Sequence, residues 1–386
     1  MSSDTQNIVI VGAGFAGLNT FNFLHAKLSK LPDSRRPTLT LITPKPFFTH
    51  LPALLRTAVT SEGRLEDQIL MPLTPPRFTD PHNKLIHASV TEVVDDDENG
   101  KGQRYVVLDT GARVEFSVLV VAPGSVWEGP LDFKGLNTKE EVVGRFEEWR
   151  GKFRKAKDIV LVGGGSIGAE LAGEIKDLDP TKNVTIIHAK PLLFNEAYPD
   201  KYRKRAAKGF ADRGVNLILD DYVDDVEIQE DGTVHTRSGK KVKADLVVPT
   251  RGPSPNTSFL ASLSSASSPV LTKTGYVNVS STLQLPSHPR IFAAGDIISW
   301  PEQKQAAKAR NHAGVVAHNV LVLLGLEKKA MKEYKTGPEM ILVTNGKNGG
   351  SGYADILWGI IFGNFFARLL KSKGLIIGMM KSALQL

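Results

Sequence analysis

Cysteine is absent from all 386 residues. Disulfides, thiolate metal sites, cysteine nucleophiles and a dithiol electron relay are therefore excluded, and no metal is expected. Acid is missing from the C-terminal segment Ile356 to Leu386, which carries Arg368, Lys371, Lys373 and Lys381 among Trp358, Phe362, Phe365, Phe366, Leu369 and Leu370. A membrane-spanning helix needs roughly 20 continuous apolar residues, and charge interrupts this run after about a dozen. Two readings stay open for the tail. It is a basic amphipathic surface lying on anionic lipid, or an amphipathic helix packed on the body of the protein or at a homodimer interface. Too little chain precedes the first strand-like run at Ile8 for a signal or transit peptide, and Ser2 stands where N-myristoylation needs glycine. The expectation is cytoplasmic residence, with peripheral attachment to a membrane, the mitochondrial outer membrane or a lipid droplet, as the alternative.

The chain is 41% hydrophobic and 23% charged, with a formal charge of +7. Those proportions suit a globular protein large enough for two cored domains. The charge admits anionic cofactors, anionic lipid, nucleic acid, or simply a lysine-rich solvated surface. The densest basic run, Lys201 to Lys208, has no stacking platform or groove-reading motif beside it. It reads as a solvated helix face, and nucleic acid is not expected as a partner.

An internal duplication organises the chain. Each copy runs from an apolar strand through a glycine-rich turn and a helix to a hairpin and a second apolar strand. The first spans NIVIVGAGFAGL to VLVVAPGS, closing on Val118 to Ala122, and the second DIVLVGGGSIGAEL to DLVVPTRG, closing on Asp245 to Pro249. The hairpins turn on Gly111 and Gly239. After a serine-rich loop, Ser258 to Ser268, the strand RIFAAGD returns to the first domain, and a helix follows over Gln305 to Leu324. The fold class expected is α/β, with two Rossmann-like dinucleotide-binding domains, the second inserted in the first, and a C-terminal α+β module. The boundaries expected are 1–125 and 257–332 for the first domain, 126–256 for the insertion and 333–386 for the module.

Gly12, Gly14 and Gly17 follow a strand and open a helix, and Gly163, Gly165 and Gly168 repeat the pattern. Glycine there lets the backbone approach a pyrophosphate at the helix N-terminus, where free N–H groups and the dipole favour negative charge. The bland alternative is tight packing alone. One such motif is weak; two within a duplication point to two dinucleotides. An acid about 20 residues on would bind ribose hydroxyls, and neither copy has one. Thr43 stands there in the first, and His188, with Lys190 beyond it, in the second. Nothing at the second site would repel a 2′-phosphate, so NADPH is expected to serve as readily as NADH, although His188 also reads as an ordinary strand-end residue. Gly295 and Asp296 close RIFAAGD at a carboxyl strand edge, where Asp296 either meets a cofactor hydroxyl or caps a helix.

The two glycine motifs, RIFAAGD and IGAELAGEIKD resemble the two-dinucleotide flavoproteins of the pyridine nucleotide-disulfide reductase superfamily. LITPKPFFTHLPALLR, VTIIHAKPLL, RNHAGVVAHNV, YKTGPEMILVTNGKNGG and RLLKSKGL are most similar to its apoptosis-inducing-factor-like group, which includes ferroptosis-suppressor proteins and fungal homologues. The resemblance spans nearly the whole chain. It implies FAD in the first domain, NADH or NADPH in the second, and electron transfer from FAD to a quinone. It implies that Glu170 sits by the nicotinamide, that Lys45 follows the adenosine-binding turn, that His312 lies beside the flavin, and that Lys371 lines the acceptor side. Glu170 is expected in the first turn of its helix. Departures touch the acceptor and the membrane: Ala122-Pro123-Gly124 replaces Ala-Thr-Gly, and Ile376 replaces an aromatic. With no cysteine, electrons must leave FAD directly, to a quinone, a one-electron dye or oxygen. A biosynthetic flavin oxidase and a redox sensor or death effector are the competing functions.

Overall fold

The computed structural model describes residues 6–74, 76–96, 102–263 and 269–386. Ser2 and the end of the serine-rich loop, 264–268, lie outside them. Two parallel sheets carry the duplication. The first has six strands in the order Gln284–Leu285, His288–Ala293, Val118–Val121, Asn7–Val11, Thr38–Ile42 and Asn83–Ile86, parallel except for the short edge strand. The second has four, Val215–Leu219, Asn183–His188, Asp158–Val162 and Leu246–Pro249, all parallel. The two central strands are apolar without alternation because both their faces are covered, as parallel strands require. Ile8, Val9, Ile10, Val160 and Leu161 have no measurable exposure. Phe15–Leu28 covers the first sheet and packs along Ala306–Leu323.

The chain leaves the first sheet after Val121 and re-enters it at Gln284, so the second sheet is an insertion. Its entry and exit lie side by side, Ser125–Val126 pairing antiparallel with Ser254–Pro255. Lys139–Lys155 opens the insertion behind a capping box, in which Thr138 Oγ1 accepts the Glu141 N–H and the Glu141 carboxylate accepts the Thr138 N–H. Gly111 and Gly239 turn the hairpins with φ of +82° and +87°.

Two expectations are corrected. The serine-rich loop begins as a 3₁₀ turn, Ser258–Leu263, because Phe259 and Leu260 bury and Ser262 donates to Val93 O. The helix after the second glycine motif starts at Ser166, which puts Glu170 beyond its first turn. The tail is an α+β module, as expected, and its last helix takes the packed alternative. Met340–Thr344, Gly350–Ala354 and Ile360–Phe362 make an antiparallel sheet, followed by a short helix Asn364–Ala367, a π turn Arg368–Ser372 and a helix Ile377–Leu384. That last helix packs on Phe15–Leu28, and Asn22 Nδ2 and Arg77 Nη2 donate to Leu384 O.

Candidate functional site

The two glycine motifs fold alike, and each glycine has its own reason. Gly12 and Gly163 take φ of +101° and +127°, and a Cβ on either would lie 2.3 or 2.5 Å from a carbonyl oxygen of the closing strand's end, Ala122 O or Thr250 O. A Cβ on Gly17 or Gly168 would lie 1.8 or 2.0 Å from the carbonyl oxygen of the motif's first glycine. These four glycines permit close packing. A Cβ on Gly14 or Gly165, by contrast, would meet nothing within 4 Å. Both residues precede a helix that has no side-chain N-cap and no acid in its first turn. An uncapped helix N-terminus beside an open position on a tight turn fits a pyrophosphate in both copies.

At the carboxyl edge of the first sheet, Gly295 (φ +82°) donates its N–H to His312 Nδ1 at 3.2 Å. The other ring nitrogen, Nε2, therefore carries the proton and donates to Glu302 Oε1 at 2.9 Å. Tyr334 donates to Glu302 Oε2 at 2.6 Å and stands edge-on to the imidazole. His312 is thus fully engaged by protein, holding the Gly295–Asp296 turn from below. Asp296 belongs to a 3₁₀ turn, Gly295–Ile297, and caps no helix. Its carboxyl is pushed up by burial, against the pull of Lys304 and of Ser125, whose Oγ donates at 3.4 Å. Gly124, with φ of +75° and open space beside it, precedes Ser125 at the crossing between the sheets.

Thr43 is buried just past Thr38–Ile42, its backbone bonded to Ile86 and Ala88. Lys45 reaches across to the loop after the crossing, with Nζ 3.5 Å from Phe133 O and 5.2 Å from the Phe133 ring centroid. Burial lowers its pKa to about 8, with Asp132 opposing.

Glu170 and Lys371, 201 residues apart, form an ion pair at 2.5 Å with side-chain exposures of 8% and 15%. Glu170 Oε1 also accepts the Thr344 N–H at 2.9 Å, and Lys371 Nζ also donates to Leu342 O at 3.0 Å. The second Rossmann helix is thereby joined to the C-terminal module. One helical turn on, Glu174 takes a bidentate bond from Arg56, both contacts at 2.8 Å, and Arg56 Nη1 donates to Ser372 O at 2.8 Å. Burial raises the Glu174 carboxyl against the pull of Arg56. Sequence reasoning missed Arg56 and Glu174. The signal was available: acids at 170 and 174 share a helix face and repel unless each has a cation. It also missed His50, fully buried, with Nε2 2.7 Å from Leu375 O and Nδ1 without a partner. Burial and the Lys371 charge both lower its pKa.

At the second cradle His188 is half-buried and turned inward. Nδ1 accepts the Gly164 N–H at 3.1 Å, so Nε2 donates to Phe194 O at 3.2 Å, and burial lowers its pKa. Lys190 is half exposed and lies 3.4 Å from Glu196. The structure therefore gathers Gly12, Gly14, Gly17, Gly295, Asp296 and His312 at one sheet edge and Gly163, Gly165, Gly168, His188 and Lys190 at the other, with Glu170–Lys371 as a separate pair.

The family described as pyridine nucleotide-disulphide oxidoreductase matches residues 6–313. A protein of Flammulina velutipes named FAD-dependent oxidoreductase FVFD30 is 46% identical over 319 residues, 83% of this chain and 96% of that one. Ferroptosis suppressor protein 1 of Xenopus tropicalis is 31% identical over 382 residues, 97% and 94% of the two chains. The solved sulfide:quinone oxidoreductase of Aquifex aeolicus has a TM-score of 0.72 at 19% identity, covering 98% of this chain and 92% of its own, and so shares the fold.

Proposed function

The chain belongs to the pyridine nucleotide-disulphide oxidoreductase family, and from that premise we propose that it is an NAD(P)H:quinone oxidoreductase. FAD and NAD(P)H come with membership, and the absence of cysteine removes the disulfide step for which the family is named. FAD, when bound, accepts a hydride and passes on electrons singly or in pairs. We assign residues 1–125 and 257–332 to its domain, 126–256 to NAD(P)H and 333–386 to the acceptor side.

In this reading the first glycine cradle takes the FAD pyrophosphate, with Thr43 and Lys45 toward the adenosine. Gly124, Gly295 and Asp296 form the edge on which the rest of FAD lies, and His312 positions that edge through the Gly295 N–H. The second cradle takes the NAD(P)H pyrophosphate, with Lys190 free to meet a 2′-phosphate. The observation that carries the proposal is the shielded Glu170–Lys371 pair, which ties the NAD(P)H side to the module that would receive the acceptor. Glu170 Oε2 has no donor among the described residues, which leaves it to accept from a carboxamide N–H and orient the nicotinamide. Quinone reduction by NAD(P)H takes up one proton from water per turnover. Of the three N–H groups on Lys371 Nζ, Glu170 and Leu342 O engage two, and the third is free to donate toward a reduced oxygen.

The test is steady-state oxidation of NADH and NADPH by the holoprotein with and without a ubiquinone analogue. Turnover that depends on the quinone is expected. Equal oxidation without it, with oxygen consumed, would make the protein a flavin oxidase. Reduction without turnover would make it a redox sensor or effector.

A further inference from the structure

Between the π turn and the last helix the backbone takes a conformation that its residues disfavour. Leu375 and Ile376, with φ of +51° and +52°, stand one after the other in the left-handed region, where a bulky side chain is strained. Ile376 precedes the helix Ile377–Leu384 and gives it no side-chain cap. Such a kink persists only where its surroundings over-determine it. Within the segment, the Leu375 N–H donates to Lys371 O at 2.6 Å. From outside, two side chains of the first domain hold it, both from the stretch that follows the strand Phe47–Thr49. Arg56 Nη1 donates to Ser372 O at 2.8 Å, and His50 Nε2 donates to Leu375 O at 2.7 Å.

We propose that His50 is a positioning residue: by holding the Leu375 carbonyl it keeps the kink, and through it the Lys371 ammonium, in place against Glu170. This rests on the reading of Glu170 and Lys371 as the working pair of the site. The surroundings of His50 set it apart from ordinary core packing. Its ring is fully buried, yet Nδ1 has no partner among the described residues. A buried acceptor without a donor costs stability, so an apolar side chain would serve the core better. What the imidazole adds there is the N–H that reaches Leu375. A carbonyl only accepts, so Nε2 carries the proton. Burial, and then the Lys371 charge, lower the His50 pKa, which favours the neutral ring with that single N–H. The segment so held begins at Lys371, whose Nζ meets Glu170 at 2.5 Å and Leu342 O at 3.0 Å. A long flexible side chain keeps such contacts only if its backbone is anchored. Arg56 shares the clamp, but it also binds Glu174 through two bonds, and its loss would strand a buried carboxylate and disturb the whole fold. His50 can be changed without that consequence.

His50→Leu removes the N–H, whereas His50→Gln keeps one, since the glutamine Nε2 lies as many bonds from the backbone as the ring Nε2. These holoproteins are compared with the wild type, Lys371→Met and His50→Leu/Lys371→Met in two measurements. One is anaerobic stopped-flow reduction of the flavin by NADPH, and the other is hydrogen–deuterium exchange of residues 372–377. His50→Leu should slow reduction by about tenfold and quicken exchange in 372–377 by about tenfold, the loss of one buried hydrogen bond. Flavin content and melting temperature should stay close to those of the wild type, and His50→Gln should recover most of both the rate and the protection. Added to Lys371→Met, His50→Leu should slow reduction no further, because the ring acts only through the lysine. Effects that multiply in the double variant would sink the proposal. So would unchanged exchange in 372–377, or exchange that quickens across the whole molecule, which would leave His50 as a support for the core. A normal rate for Lys371→Met would refute the working pair and with it the role of His50 in reduction, and the exchange of 372–377 would separate that failure from a failure of the clamp.

Discussion

Glu170 and Lys371 should act as one unit, and the rate at which NADPH reduces the bound flavin should show it. At 2.5 Å the gross attraction is about 7 kcal/mol for an effective dielectric of about 20. Desolvation of both charges takes back most of that, and each partner keeps a further bond, to Thr344 N–H or Leu342 O. A coupling of about 1–3 kcal/mol remains, or roughly 5- to 150-fold in a rate. The assay is anaerobic stopped-flow reduction by NADPH of the wild type, Glu170→Gln, Lys371→Met and the double variant, with thermal melts of all four. Each single change should slow reduction, and the double variant should be little slower than the worse single one. If the effects multiply instead, the pair is not a functional unit. If the coupling shows in the melts but not in the rates, the pair only fastens the C-terminal module.

Gly14→Val should yield folded protein without yellow colour, because the side chain projects into the open position over the helix N-terminus, whereas Gly17→Ala should fail to fold, its Cβ meeting Gly12 O at 1.8 Å; flavin retained by Gly14→Val at wild-type stoichiometry would refute the cradle. NADPH should serve within about tenfold of NADH, and Lys190→Ala should weaken inhibition by 2′,5′-ADP while leaving 5′-AMP unchanged; equal loss for both would mean that Lys190 meets no 2′-phosphate. Lys45 has its pKa lowered to about 8 in the folded protein, from 10.5, so between those pH values the unfolded chain binds more protons and stability rises with pH. Urea unfolding of the flavin-free protein should show that rise and Lys45→Met should lack it; identical pH slopes would remove Lys45 from its buried place.

The sequence alone determined the two Rossmann units and their order, because the signals are local. Uninterrupted apolar strands, glycines at fixed offsets and a repeated element order each follow from the backbone geometry of one strand–turn–helix unit. Gly12, Gly14 and Gly17 could be named in advance for that reason, and so could the insertion, since RIFAAGD resumes a pattern left at Ala122. Thr43, His188 and Lys190 could be placed at strand ends, but not given a direction. Only the tertiary structure turned His188 inward to Gly164 and Phe194 and left Lys190 outward beside Glu196. It likewise closed His312 between Gly295 and Glu302. The Arg56–Glu174 and Lys371–Glu170 pairs join residues 118 and 201 positions apart, and no periodicity along the chain encodes such a meeting. The tail shows the same division within one segment. Its composition was plain from the letters, but which half packs and which half faces out depended on where Phe15–Leu28 and Ser166–Leu178 offered a surface. Local patterns fix what a segment is; burial and pairing across the chain fix what it faces.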